Sequence, residues 1–99
     1  MSENNEVAIS LVFDKAATRL AGYPYGKKVY DEQVKPCIDF KKKNVIIFPD
    51  NIERAATSFV QGFFYDIVKN IGFDGIDDHI YIKSNSNQLV DDITDNIRI

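Results

Sequence analysis

Val45-Ile46-Ile47-Phe48, the turn residues Pro49-Asp50-Asn51 and the apolar pattern that runs on to Gly72 constrain this chain more than any other stretch. A four-residue apolar run bounded by Asn44 and Pro49 has the form of a strand buried on both faces, so it predicts the central strand of a largely parallel sheet. After it, Val60, Phe63, Phe64, Ile67, Val68 and Ile71 recur at intervals of three and four. That spacing predicts an amphipathic helix from about Ser58 to Ile71, laid flat on the sheet. Gly72 stands where a left-handed C-terminal cap belongs.

The rest of the chain alternates around this unit. Val7, Ile9, Leu11 and Phe13 interleave with Ala8, Ser10 and Val12, the period-two pattern of a first strand. Asp14 to Leu20 reads as a helical turn or two, and Gly22-Tyr23-Pro24-Tyr25-Gly26 marks residues 21–27 as a loop. Val29 to Phe40 carries a weaker helical pattern interrupted by Pro36, with Lys41-Lys42-Lys43 as a solvated last turn. Phe73 to Asp78 reads as a turn-rich connection, and His79 to Lys83 as a short strand with Ile80 and Ile82 inward. Asn85 with Gln88 approximates a capping box for a last helix, whose inner side is Leu89, Val90, Ile93 and Ile97. The alternation predicts an α/β fold with a mixed, mostly parallel sheet and helices packed on it.

A chain of 99 residues, 44% hydrophobic and 27% charged, is expected to form one domain over residues 1–99. A formal charge of -3 argues against a nucleic-acid binder, which would show a basic face. Cys37 is the single cysteine and the start of the chain is acidic and polar, so the expected setting is cytoplasmic. No apolar run approaches the roughly 18 residues that span a bilayer, so no membrane partner is expected.

Chemistry is sparse. His79 is the single histidine, so a triad or a histidine-based metal cluster cannot be built in the usual way; it reads as an edge-strand side chain. Cys37 reads as a small buried helix residue, and Asp74, Asp77 and Asp78 as a solvated turn without the calcium-loop glutamate. GYPYG lacks the lysine-serine ending of a phosphate loop, and Tyr23 and Tyr25 are expected over a sheet edge. No metal, no cofactor and no enzymatic activity is expected. Thr57 and Ser58 sit where a hydroxyl caps free helix amides, a position where a phosphate would also be favoured. Ser58, Gln61, Gly62, Tyr65 and Lys69 form the outward stripe of the same helix. Glycine inside a helix costs about 1 kcal/mol relative to alanine, and close approach of another backbone is one reason to keep it. The stripe is therefore the candidate contact patch.

The segment NVIIFPDNIERAATSFVQGFFYDIVKNIG at 44–72, Thr18-Arg19 upstream and the asparagine-led SNSNQLVDDI at 84–93 together resemble the STAS-like domain family, related to the STAS domains of anti-sigma factor antagonists. The resemblance spans residues 7 to 97. It implies a regulatory module that docks a protein partner through the helix starting at Ser58, the partner being an ATPase or kinase of the GHKL type. In the antagonists a serine at this helix start is phosphorylated, and the matching position here is Ser58 or Thr57. The sequence departs from the pattern where Gln61-Gly62 replaces an acidic pair, and where the acidic residue before the serine is absent. A second expectation, from another class, is a small-ligand or nucleotide binder that uses the 21–28 loop and the helix N-terminus at Ser58 as an anion pocket.

Overall fold

The computed structural model describes residues 6–98; the polar start at 1–5 lies outside the described residues. Three strands form a parallel sheet: β1 (Glu6–Ser10) and β5 (Ile80–Lys83) flank β3 (Lys43–Ile47), so the Val45 run is central as its composition predicts. Register aligns Ala8, Val45 and Tyr81 in one row and Ile9, Ile46 and Ile82 in the next. A second parallel pair, β2 (Arg19–Leu20) with β4 (Arg54–Ala55), replaces the helical turn expected between Asp14 and Leu20.

The sheet is covered on one face. Ile9, Leu11, Ile46, Phe48 and Ile80 are buried on that face beneath the helices. On the other face Ala8, Ser10, Tyr81 and Lys83 are exposed and Val45 and Ile47 are half-buried, which corrects the expectation of a strand sealed on both sides. Lys43 lies across this open face, 3.4 Å from the Glu6 carboxylate and 4.5 Å from the centre of the Tyr81 ring.

The longest helix, α2 (Thr57–His79), contains a break. Residues 57–71 follow the predicted pattern, and Gly72 leaves it with φ 69 and ψ 177, a backbone region open essentially to glycine alone. Beyond the break residues 73–79 are helical again, where a turn was expected, because Ile76 is buried and anchors the extra turns. His79 therefore ends a helix rather than lying in an edge strand, with Nδ1 3.1 Å from the Lys42 carbonyl oxygen.

The 21–27 segment is also helical: α1 (Tyr23–Val29) continues into a wider π turn over Tyr30–Val34, closed by Lys35 N–H donating to the Tyr30 carbonyl at 2.8 Å. Pro24 sits in the first turn, where its missing N–H costs nothing, and Pro36 lies beyond the last turn. The helix expected from Val29 to Phe40 thus starts earlier and ends sooner, leaving Cys37 exposed in a turn and Lys43 in β3. The last helix, α3 (Asn87–Asn96), buries Leu89 and Ile93. Its cap is Ser86, not Asn85: Ser86 Oγ accepts from Leu89 N–H at 3.1 Å, while Asn85 donates to Asp50 at 2.6 Å.

Phe63 is the centre of the core, with the rings of Tyr30, Phe48, Phe59 and Phe64 at 6.3, 6.2, 5.6 and 5.1 Å. The buried polar side chain of Asn44 is fully engaged. Its amide donates to the Asp39 and Lys42 carbonyls at 2.8 and 2.9 Å and its oxygen accepts from Asp39 N–H at 3.0 Å, so it closes the turn that feeds β3.

Candidate functional site

The first half of α2 meets α1 at a crossing built on two glycines. A Cβ at Gly62 would collide with the Tyr23 carbonyl oxygen, and one at Gly26 with the Phe59 carbonyl oxygen. Close backbone approach is thus the reason for a glycine inside α2. The same contact buries Gly62 under its own chain, so it leaves the outward stripe and supports the surface from below.

The crossing brings Tyr23 of α1 to Tyr65 of α2, ring centroids 6.3 Å apart and edge-on, and Tyr25 to Phe59 at 5.8 Å. These tyrosines pack on a helix, not over a sheet edge. Lys27 Nζ stands 4.4 Å from the Tyr65 ring centre and 3.9 Å from Asp66, and Lys69 Nζ stands 5.5 Å from the same ring. At the far end of the surface Arg98 lies 5.4 Å from the Phe73 ring and pairs with Asp77 at 2.6 Å.

Between these groups runs an open groove of about 270 Å³, lined by Tyr23, Gln61, Phe64, Tyr65, Val68, Lys69, Phe73 and Ile97. Three aromatic residues on it are substantially exposed: Tyr23 at 38%, Tyr65 at 43% and Phe73 at 39%. Of the stripe read from the sequence, the groove gathers Gln61, Tyr65 and Lys69. Ser58 is exposed at the start of the helix, outside the groove. Tyr23, Phe73 and Ile97 were not legible as members. Tyr23 and Phe73 sat in segments read as loop and turn, and Ile97 read as an inner residue.

The hydroxyls at the start of α2 do not cap it. The N-cap is Ala56, without a side-chain hydrogen bond. Ser58 Oγ instead accepts from Gly22 N–H at 3.0 Å, tying the start of α1 to the start of α2. Thr57 Oγ1 donates to Asn96 Oδ1 at 3.1 Å, tying α2 to α3. Residues 23–28 are helical, not the loop expected at 21–28, and Gly22 N–H is directed at Ser58 Oγ.

A second groove of about 280 Å³ lies between the end of α2, the outer strand β5 and α3, with Ile82, Val90 and Thr94 in its lining. Ile97 belongs to both grooves. Midway along α3, Asp92 accepts from Arg54 Nε and Nη2 at 2.8 and 3.1 Å. This guanidinium, helped by Ala55 N–H, holds the Asp92 carboxyl below the usual carboxylate range, and the pair ties β4 to α3. Among the described residues no group of three His, Cys, Asp or Glu side chains stands close enough to hold a metal ion. No helix among them is long and apolar enough to cross a membrane.

A family model, the STAS-like domain of unknown function (DUF4325), matches residues 25–90. That span holds β3, β4, α2 and β5, and the Gln61, Tyr65 and Lys69 side of the groove. No curated protein and no solved structure matches the chain.

Proposed function

The chain belongs to the family of STAS-like domains of unknown function, and from that premise we propose that it is a non-enzymatic docking module for a protein partner. The observation that carries this is the exposed aromatic groove on α2. Tyr23, Tyr65 and Phe73 are aromatic rings of the kind enriched at the centres of protein interfaces, and cations stand beside them at the rim. Its volume is below the roughly 300–1,000 Å³ of small-molecule pockets, and its floor offers apolar side chains rather than converging polar groups. Both facts favour a protein surface over a metabolite as the occupant.

The partner in this proposal is an ATPase or kinase-like protein, and Ser58 is the residue at which docking is regulated, with Thr57 as the alternative. Ser58 is exposed in the first turn of α2, where the helix dipole stabilises added negative charge. A phosphate there stands about one turn from Gln61 and replaces the acceptor that now holds Gly22 N–H. Copurification of the tagged chain with the products of neighbouring genes tests the proposal. Tyr65→Ala is expected to lose the partner and Ser58→Glu to change its yield by about fivefold or more, of the order that one or two charge-assisted bonds supply. Equal recovery by wild type and both variants would remove this face from consideration.

A further inference from the structure

We infer that the groove on α2 takes an amphipathic helix of the partner, with apolar anchors one turn apart and a carboxylate reaching Lys69. The inference rests on the docking function proposed above and names the chemistry of what docks. Three observations carry it.

The first is the make-up of the walls. Six of its eight lining residues come from α2, with Tyr23 from the start of α1 and Ile97 from the end of α3, and none comes from a strand, so the groove offers no strand edge for an extended peptide to pair with. An incoming segment must therefore satisfy its own backbone, which is what a helix does.

The second is length. Gln61 to Lys69 is eight residue steps of 1.5 Å, about 12 Å, and Phe73 prolongs the surface past the break at Gly72. Anchors at positions i, i+4 and i+7 of an incoming helix span about 10 Å, so such a set fits over the apolar floor of Phe64 and Val68.

The third is charge. Three cations rim the groove, each over an aromatic face: Lys27 and Lys69 at Tyr65, and Arg98 at Phe73. Two carboxylates stand with them, Asp66 at 3.9 Å from Lys27 and Asp77 at 2.6 Å from Arg98. Lys69 has no carboxylate within 4.0 Å among the described residues, so one cation of the rim is left uncompensated on a chain whose formal charge is -3. A local positive rim on an acidic protein selects for an acidic segment.

The chain contains no tryptophan, so a tryptophan in a synthetic peptide reports binding without background. Three probes are compared by fluorescence titration at low salt: an amphipathic helical peptide with leucine and tryptophan anchors flanked by glutamates, the same peptide with lysines for glutamates, and a scrambled acidic peptide. The acidic amphipathic peptide is expected to bind about tenfold more tightly than the other two, with the preference shrinking as salt is raised. Lys69→Glu is expected to reverse the order of the acidic and basic peptides. Tyr65→Ala is expected to weaken the acidic peptide by about tenfold while circular dichroism stays unchanged. Equal binding of the three, or no saturable binding, overturns the helical occupant. If Tyr65→Ala still abolishes copurification of the partner, the docking face survives that failure; if it does not, both conclusions fall.

Discussion

Gly62 shows how a single residue carries two constraints, one from its own helix and one from a neighbour. Alanine there would gain about 1 kcal/mol of helix propensity and would meet the Tyr23 carbonyl oxygen, an overlap that only a shift of α1 relieves. Gly62→Ala is therefore expected to lower stability by about 2 kcal/mol in urea denaturation and, on the proposed function, to weaken docking with it, since Tyr23 moves away from Tyr65. The need for a close backbone neighbour was legible in the sequence, because glycine is expensive inside an otherwise regular helical pattern. Which backbone came close was not, since Tyr23 lies in a segment whose glycines and proline imitate a loop. Thr57 and Ser58 failed for a related reason. A hydroxyl at a helix start ordinarily caps it, but their partners are Asn96 and Gly22, 39 and 36 residues away, and local sequence carries no record of such contacts.

At the scale of elements, α2 turns on Gly72. Nothing lies within 4 Å of a Cβ placed there, so substitution meets backbone strain and no collision. Gly72→Ala is expected to cost about 2 kcal/mol by thermal or urea denaturation, whereas a D-alanine introduced by chemical synthesis suits φ 69 and ψ 177 and should cost little. A result in which both alanines cost the same would show that the break is not set by chirality. The pair that holds α3 to β4 makes a different prediction. Asp92 binds its proton less tightly folded than unfolded, so its contribution is present at and above the ordinary carboxylate range and is lost as pH falls through the depressed one. Denaturation midpoints followed downward from pH 7 should converge for wild type and Asp92→Asn. Residues 57–71 of α2 were legible because they repeat their period several times, and β1 because its alternation runs on to Phe13. Strands β2 and β4 have two residues each and cannot express a period at all.

The whole molecule has one well-filled side. Phe63, ringed by four aromatic neighbours beneath α1 and above the sheet, is the group on which that side depends. Phe63→Ala is expected to cost about 4 kcal/mol, a large share of the 5–15 kcal/mol typical of a domain, and calorimetry should find the melting point lowered by well over 10 °C. The α/β class, the central place of the Val45 run and the buried stripe of α2 could all be read from periodicity. The open side of the sheet could not, because Val45 and Ile47 are as apolar as a doubly covered strand requires, and burial of the reverse face is decided by where three helices dock. The glycine crossing has a last consequence. Because α1 and α2 are already locked at backbone distance, the placement of Tyr23 against Tyr65 at the edge of the groove is fixed by the main chain. On the proposed docking function, a visitor would have little ordering left to impose on its host, so the entropic penalty of complex formation would fall mainly on the visitor.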